Sequence, residues 1–598
     1  MAPTLREADG EPFALFDDDA GDAYLLTDLH QISFDTSADA CQVLAQLTDV
    51  ARQGCWLAVA ADYALGGCFD PSAAVRTFPG RPLLKAWAFT AARRLDHAAV
   101  DDFLAVRLAM LDEEQCLAGI AELTSTLDQT AYRAQVRQIQ RWIADGDCYQ
   151  INLTFPLLFR VYGHPLALYA ALRARQPVRY GGCLLDGQTT LLSFSPELFF
   201  ERRGDRVHTR PMKGTARRGA TPAEDARMCA DLLASEKERA ENVMIVDLLR
   251  NDLGRLARPG RVRVDALFEA EAYPTLWQLV STVSADLPQV SLPALFGALF
   301  PCGSITGAPK LRAMQRIAEL EQSPRGVYTG AFGWLAPSGD CRFNVAIRTL
   351  EFDTPTQARL GVGSGIVADA NPDREYTECL LKARFLTAYD PGFALIETMR
   401  LAAGVYPLLS GHLRRLERSA GDLGFACDLP RITTALQNEA VRHADGLHRV
   451  RLTLRHDGTF QLMTDPWAAS DERNQRVILA EQTLSTDNYL LRHKTTARAL
   501  FDRALSAVAD CPPIIDVLFL NKQGEVCQGA RSNVFLERNG VLLTPPLSCG
   551  LLPGVFRQSL LDAGRAVEQV LLLDDLQRGE PLYIGNALRG LLPVVLDQ

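Results

Sequence analysis

The chain has 598 residues, 47% of them apolar and 22% charged, with 62 Lys and Arg against 72 Asp and Glu. One hydrophobic core stops growing at roughly 250 to 300 residues, so at least two domains are expected. The net charge of -10 and the lack of any basic stripe exclude a nucleic-acid binder, and no run approaches the roughly 20 apolar residues that cross a bilayer. The opening residues, MAPTLREADGEPFALFDDDAG, are acidic and polar where a secretory signal needs a basic start, which predicts a cytoplasmic protein. The 14 cysteines are scattered, with no C-x-x-C pair, and read as reduced, mostly buried thiols rather than zinc ligands.

In chain order, residues 1 to about 120 mix short apolar runs with acidic loops, and Leu127 to Ala144 reads as an amphipathic helix. Strand-like runs follow at LLSFSPELFFERR and RVHTRPMKG. The stretch SEKERAENVMIVDLLRNDLGRL predicts a helix buried along Val243, Val246, Leu249 and Leu253. After the helix APKLRAMQRIAELEQ come more strands, and then YDPG at Tyr389 to Gly392, where proline and glycine break any helix and the texture restarts. The boundary is placed there, giving domains 1–390 and 391–598.

Glu238 and Glu241 lie three apart near the start of their helix, on one side and at the positive end of its dipole. Glu375 and Glu378 repeat the spacing in NPDREYTECLLKARF, where Asn371 or Asp373 can start a helix with Pro372 in its first turn. Four carboxylates from two helices would suit magnesium.

The segments RPMKGT, FPCGSITGAPKLRAM, VYTGAFGW, FNVAIRTL and GVGSGIVADANPDREY follow in order. Together, over roughly 120–388, they resemble the chorismate-utilising family that includes anthranilate synthase, isochorismate synthase and aminodeoxychorismate synthase component I. The resemblance implies a large β-sandwich core with surrounding helices over 121–388, behind an accessory region at 1–120, and magnesium on the four glutamates. Lys213 of RPMKGT matches the aminodeoxychorismate synthases, in which this amine adds at C2 of chorismate as the 4-hydroxyl leaves, and ammonia then enters at C4. Such an amine must be neutral, which needs burial or nearby cations; Arg210, Arg217 and Arg218 are the closest in sequence. Glu197 of SFSPELFF matches the family's general acid or base. Tyr328 and Arg348 match its grip on the chorismate carboxylates, Arg348 through a bidentate fork. Thr306, Ala308 and Lys310 line the same site, and the backbone at Gly363, Ser364 and Gly365 approaches a carboxylate. One residue departs from the pattern: Gln278 of TLWQLVSTV stands where other members carry histidine, so either that histidine role is not required for amination at C4 or Gln278 only positions the ring by hydrogen bonds.

No cysteine sits in the glycine-flanked turn of a glutaminase, so a separate glutamine amidotransferase subunit is expected to deliver ammonia. Beyond the boundary, ALIETMRL, HLRRLERSAGDLGF, HKTTARALFDRAL, GEVCQGARSNVFLERNGVLLTPPLSCGLLPGVFR and LYIGNALRGL resemble the class IV aminotransferase and aminodeoxychorismate lyase family. That implies a two-lobed α/β domain like that of D-amino-acid aminotransferase, pyridoxal phosphate as cofactor and a homodimer. Lys494 matches the Schiff-base lysine, Arg415 the phosphate arginine, Val555 and Phe556 with Asn586 and Ala587 the rest of the phosphate cradle, and Leu552 a residue packed on the ring. Gln528 of VCQGA replaces the glutamate that family members place against the pyridine nitrogen. The combined expectation is a multidomain α+β and α/β enzyme taking chorismate and ammonia to 4-aminobenzoate. An anthranilate synthase-like component is one alternative, and a synthase with a non-catalytic C-terminal dimerisation or docking module is another.

Overall fold

The computed structural model describes residues 10–18, 21–32, 40–273, 276–468, 475–511 and 513–597. Residues 1–9 and 19–20 of the opening segment lie outside these. The chain divides into two compact units, Met1–Cys116 with Leu123–Tyr389, and Leu117–Glu122 with Asp390–Gln598. Among the described residues no helix is long and apolar enough to cross a membrane.

Among the described residues, the first unit is built on one extended network of hydrogen-bonded strands. The functional residues come from β1 (Gln150–Tyr162), β2 (Leu198–Arg203), β3 (Met212–Arg217), α1 (Glu236–Gly254), β4 (Leu276–Asp286), α2 (Lys310–Leu320), β5 (Gln357–Ile366) and α3 (Pro372–Lys382). At one end of the network β3 pairs antiparallel with β4. At the other, β5 pairs with β1 over ten residues, Gln357 opposite Arg160 through Ile366 opposite Ile151. Side chains alternate across each strand, and their apolar faces feed clusters such as that around Phe200, Phe296 and Phe343.

Local chemistry sets the helix boundaries. Ser235 caps α1 by accepting from the Glu238 N–H at 3.3 Å, and Glu236 and Glu238 supply the acidic first turn. The buried face of α1 is Asn242, Ile245, Val246, Leu249, Asp252 and Leu253. This corrects the sequence reading: Val243 is 39% exposed, because the stripe is centred one residue further round the helix. Asn371 starts α3, its Oδ1 accepting from the N–H groups of Asp373 and Arg374 at 3.0 and 3.1 Å. The helix predicted over Leu127 to Ala144 runs Gln129–Ala144, because Asp128 caps it through the Ala131 N–H at 2.8 Å. The strand predicted through SFSPELFF is broken, Thr190–Ser193 and then β2, with Pro196 in the gap.

In the second unit, β6 (Leu395–Ala402) joins Leu447–Leu454 and Phe460–Pro466 in a three-stranded antiparallel sheet, followed in chain order from β6 by α4 (Leu409–Leu423). A separate eight-stranded sheet contains β7 (Val526–Gly529), and α5 (Val555–Asp562) packs on its strand Leu582–Asn586. The two sheets correspond to two lobes.

Candidate active sites

In the first unit, Lys213 precedes Gly214, whose φ of +86° lies in the left-handed region. A Cβ on Gly214 would stand 2.9 Å from Glu238 Oε2, so only glycine lets β3 close on α1. Lys213 Nζ is 3.3 Å from Glu241 Oε1, and Gln150 Nε2 donates to the same oxygen at 3.1 Å. Burial pushes the Glu241 carboxyl up, but the Lys213 charge and these hydrogen bonds outweigh it and hold the group below its ordinary value. Helix α1 thereby ties together the two ends of the strand network, β3 through Lys213 and β1 through Gln150.

Glu197 is 5% exposed and accepts from Ser304 Oγ at 2.7 Å. Burial raises its pKa, and the Ser304 bond, the Lys213 charge, the Met212 backbone and the Lys382 charge oppose this without cancelling it. A buried carboxyl held toward its protonated form beside a lysine is the arrangement a general acid needs. Arg210, Arg217 and Arg218 do not crowd the lysine, contrary to what their sequence positions allowed. Arg210 donates to Glu271 Oε1 at 2.9 Å and Arg217 to Glu224 Oε1 at 2.6 Å, while Arg218 grips Asp225 through two bonds. Each guanidinium is spent on a nearby acid.

Gln278 is bonded at both ends of its amide. Its Nε2 donates to Gly214 O at 2.9 Å and its Oε1 accepts from Thr215 Oγ1 at 3.1 Å. Both ends of the amide therefore hold the two residues that follow Lys213.

The four glutamates form a diffuse acidic cluster. The Glu238 pKa is raised by burial and then by the charges of Glu241 and Glu378; that of Glu375 is raised by burial and also by Glu378, against a hydrogen bond from Ser364. Carboxylates on α1 and α3 thus feel one another. Among the described residues no group of three or more His, Cys, Asp or Glu is gathered to hold a metal ion. Glu241 is engaged by Lys213, and Glu378 by Lys382 at 2.9 Å. Carboxylate oxygens are the donor type that a hard divalent cation takes, and its charge would offset that repulsion.

Arg348 has φ +50°, rare for a non-glycine residue. Burial lowers its pKa and only the Tyr273 hydroxyl opposes this. Among the described residues no carboxylate pairs with it, so its fork is available to an anion. Tyr328 is 9% exposed, with its ring flat against Gly361, where a Cβ would stand 2.1 Å away. Gly363, Ser364 and Gly365 lie on β5 opposite Thr154, Leu153 and Asn152. A Cβ on Gly365 would meet Gln150 Nε2 at 2.3 Å. Ala308 is buried and its carbonyl accepts from the Tyr149 N–H at 2.8 Å. Among the described residues, Thr306 and Lys310, expected along the same site, also make bonds within the protein that leave one donor on Lys310 and the lone pairs of the Thr306 hydroxyl unused. Thr306 Oγ1 donates to the carbonyls of Cys302 and Gly303 at 3.1 and 3.2 Å. Lys310 Nζ donates to Asp252 Oδ2 at 2.6 Å and Leu299 O at 3.0 Å. Both brace the turn that carries Ser304.

Sequence reasoning missed Ser304, Gln150 and Lys382. Lys382 Nζ donates to Gly363 O at 2.8 Å while paired with Glu378, joining α3 to the glycine segment of β5. The i, i+4 spacing of Glu378 and Lys382 was the available signal. Nothing in the sequence pointed to Gln150, which acts across strands.

In the second unit, Lys494 is held by its own carbonyl, which accepts from the Ile396 N–H of β6 at 2.9 Å. Desolvation first, then the charges of Arg415 and Arg498, lower its amine from the ordinary lysine value to about 7. Arg415 Nε and Nη2 donate to Glu397 Oε1 and Oε2 at 2.8 and 2.6 Å, and Nη1 donates to Pro553 O at 3.2 Å. Of five guanidinium N–H groups two remain unused. His412 Nδ1 lies 2.6 Å from Glu397 Oε2. Burial opposes ionisation of Glu397, yet Arg415 and His412 hold its pKa down at about 2. Glu397 and His412 were missed as site residues although both lie in recognised segments, because neither spacing nor composition marks a strand acid that serves an arginine 18 residues on.

Pro553 leads into α5, whose N-terminus has no side-chain cap. Among the described residues nothing accepts from the Val555 and Phe556 N–H groups. With the spare N–H groups of Arg415 these are donors that an anion could take. Gly411 of α4 allows the close approach, since a Cβ there would meet Val555 Cγ1 at 2.6 Å. Asn586 braces its turn, Oδ1 accepting from the N–H groups of Leu588 and Arg589 at 3.1 and 3.0 Å; Ala587 lies within that turn. Gln528 Oε1 accepts from the Leu552 N–H at 3.0 Å, and the Leu552 carbonyl accepts from Asn533 Nδ2 at 3.0 Å. A depressed lysine amine beside an anion cradle fits pyridoxal phosphate.

Two sites of this kind on one chain define a chorismate-handling unit joined to a pyridoxal-phosphate-type unit. The chorismate binding enzyme model matches residues 72–388, starting inside the segment read as accessory, and the class IV amino-transferase model matches 394–596. The chain belongs to the chorismate binding enzymes and carries a class IV amino-transferase domain, from a family that uses pyridoxal phosphate. It is 48% identical over 257 residues to aminodeoxychorismate synthase of Streptomyces pristinaespiralis, covering 42% of this chain and 35% of the relative. It is 40% identical over 256 residues to aminodeoxychorismate synthase component 1 of Bacillus subtilis, covering 43% and 54%. Anthranilate synthase component 1 of Thermus thermophilus is 42% identical over 269 residues, covering 45% and 58%. The chain thus spans between a third and three fifths of the length of these relatives. Among solved structures, anthranilate synthase component I from Streptococcus pneumoniae aligns with a TM-score of 0.52 at 25% identity, over 63% of this chain and 90% of that one.

Proposed function

We propose that the chain makes 4-aminobenzoate from chorismate in two steps. The observation that carries the reading is Lys213, a nucleophilic side chain, within the electrostatic reach of a buried carboxyl, Glu197, that resists ionisation. Lys213 Nζ forms a bond to C2 of chorismate, the ring double bonds shift, and the C4–O bond breaks. Glu197 gives its proton to the departing hydroxyl, which leaves as water. Ammonia then bonds to C4 and the C2–Nζ bond breaks, so chorismate and ammonia become 4-amino-4-deoxychorismate and water. Arg348 and Tyr328 hold carboxylates of the substrate, with the Gly363–Gly365 backbone closing on it. Glu238, Glu241, Glu375 and Glu378 would hold magnesium, which supplies positive charge to the anionic substrate. Ion pairing of Lys213 with Glu241 argues that a cation on Glu241 helps free the amine.

In the second unit Lys494 would carry the cofactor and move the proton at the carbon bearing the amino group. Arg415 and the α5 N-terminus would hold the phosphate. Pyridoxal phosphate supplies an electron sink, and loss of pyruvate leaves an aromatic product. A separate glutaminase subunit is part of this reading. Cys302 and Cys549, each in a glycine-adjacent turn, are buried with thiols pushed up to about 12, which does not suit a glutaminase nucleophile. A cytoplasmic location and a homodimer through the second unit complete the proposal. The test is incubation of the full chain with chorismate, magnesium, ammonium and pyridoxal phosphate, with chromatography of the aromatic product. 4-Aminobenzoate with pyruvate is expected, and anthranilate would overturn the assignment.

A further inference from the structure

Gln528 is 6% exposed, in the interior of β7. A backbone N–H can only donate, so the Leu552 N–H at 3.0 Å fixes which end of the Gln528 amide faces the loop: the oxygen does. The amide cannot flip without leaving that buried donor unsatisfied and placing two donors against each other. Its NH2 end is consequently presented away from Leu552. Among the described residues nothing accepts from it. This nitrogen is open to water, or to a ligand atom with a lone pair that displaces it.

The surroundings say which ligand. Leu552 starts a short loop whose next carbonyl, Pro553 O, accepts from Arg415, and which ends at the open N-terminus of α5. One stretch of backbone thus orients Gln528 at one end and the anion cradle at the other. Gly554 keeps the loop tight, since a Cβ there would lie 1.9 Å from Asn533 Oδ1. A molecule with its anionic group in the cradle and a ring acceptor toward Gln528 satisfies both ends.

We infer that Gln528 donates to the ring nitrogen of bound pyridoxal phosphate and keeps that nitrogen unprotonated. This rests on the lyase reading of the second unit. A carboxylate at this position would accept a proton shared with the nitrogen and favour its charged form; an amide whose oxygen is occupied elsewhere can only donate, and so favours the lone pair. The chain accordingly works with a weak electron sink. Elimination of pyruvate tolerates this because the product gains an aromatic ring, whereas transfer of the amino group has no such assistance. Gln528 is therefore a specificity-determining residue that steers bound substrate toward elimination.

The test is nitrogen NMR of the full chain loaded with pyridoxal phosphate labelled with 15N in the ring. The wild-type signal is expected at the position of a neutral pyridine nitrogen, and Gln528→Glu, which retains an acceptor for the Leu552 N–H, should move it toward the pyridinium position. In parallel, Gln528→Glu should raise the rate of amino transfer from alanine to the cofactor on the order of tenfold, the equivalent of about 1.4 kcal/mol. A wild-type signal already at the pyridinium position would overturn the inference whether or not the variant folds, while leaving the lyase reading intact. A chain that takes up no pyridoxal phosphate would overturn both.

Discussion

Replacing Glu397 by Gln tests the idea that a single buried carboxylate organises the cofactor end of the second unit. Glu397 takes two bonds from Arg415 and one contact from His412, with side-chain exposures of 3% for Glu397 and His412 and 7% for Arg415. Its pKa of about 2 lies below the usual 4.5, so its contribution is fully present above the unfolded value and is lost as pH falls through about 2. At about 1.4 kcal/mol per unit this amounts to roughly 3 kcal/mol. Breaking a buried pair on one side costs about 3 to 5 kcal/mol, and the amide, which keeps one acceptor, recovers part of that. A loss of about 3 kcal/mol in a unit of some 215 residues lowers its melting temperature by roughly 6 to 12 °C. Calorimetry of the full chain should show the transition of the second unit fall by this amount near neutral pH while that of the first stays in place. The gap should narrow once the pH drops below about 4.5. A fall of less than about 2 °C at neutral pH would refute the reasoning and mean that desolvation of the carboxylate cancels its pairing.

Competitive labelling of Lys494 with an amine-directed reagent should reach half its limiting rate near the amine's pKa of about 7, far below an ordinary lysine. Arg415→Met removes the largest charge that lowers the Lys494 pKa and should shift the midpoint upward; an unchanged midpoint would mean that desolvation and the remaining cations, Arg498 among them, account for it. Gln278→Leu deprives Gly214 O and Thr215 Oγ1 of their partner, and a misplacement of about 1 Å at Lys213 would lower kcat on the order of 10- to 100-fold with KM for chorismate nearly constant; loss confined to KM would count against a positioning role. Magnesium at about 100 times its Kd should stabilise the first unit by about 2.7 kcal/mol, read as an upward shift of its calorimetric transition. Glu238→Gln with Glu375→Gln should abolish that shift, and its persistence would place the metal elsewhere.

Much of this was legible in the sequence because the signals were local. Ser235, Asn371 and Asp128 cap the helices they precede, and the i, i+3 glutamate pairs do lie near the starts of α1 and α3. What the sequence could not supply was the partner across the fold. Arg210, Arg217 and Arg218 looked like company for Lys213, yet each meets an acid nearer to it, at Glu271, Glu224 and Asp225. Lys213 instead meets Glu241 on a helix 28 residues further along, and Gln150 arrives from a strand at the other end of the network. Lys310 and Thr306 lie in recognised segments, but nothing in the sequence signalled their bonds to Asp252, Leu299, Cys302 and Gly303. Patterns in sequence place residues on elements; burial and competition among neighbours decide which atoms remain free.

The two glutamines that interrupt the family patterns make the same point about one functional group. An amide carries a donor end and an acceptor end and changes charge at neither, so its role depends on how many of those ends the protein already uses. At Gln278 both are taken, by Gly214 and Thr215, and the residue becomes a clasp on the backbone beside Lys213. At Gln528 only the oxygen is taken, by the Leu552 N–H, and the donor is left for a ligand. A histidine or a glutamate in either place would bring a titrating proton; the amide fixes geometry in the first site and electronic character in the second, independently of pH. In the proposed reactions Glu197 would be the proton donor of the first site and Lys494 the proton carrier of the second, so in each half one side chain would move the proton while the glutamine holds the arrangement around it.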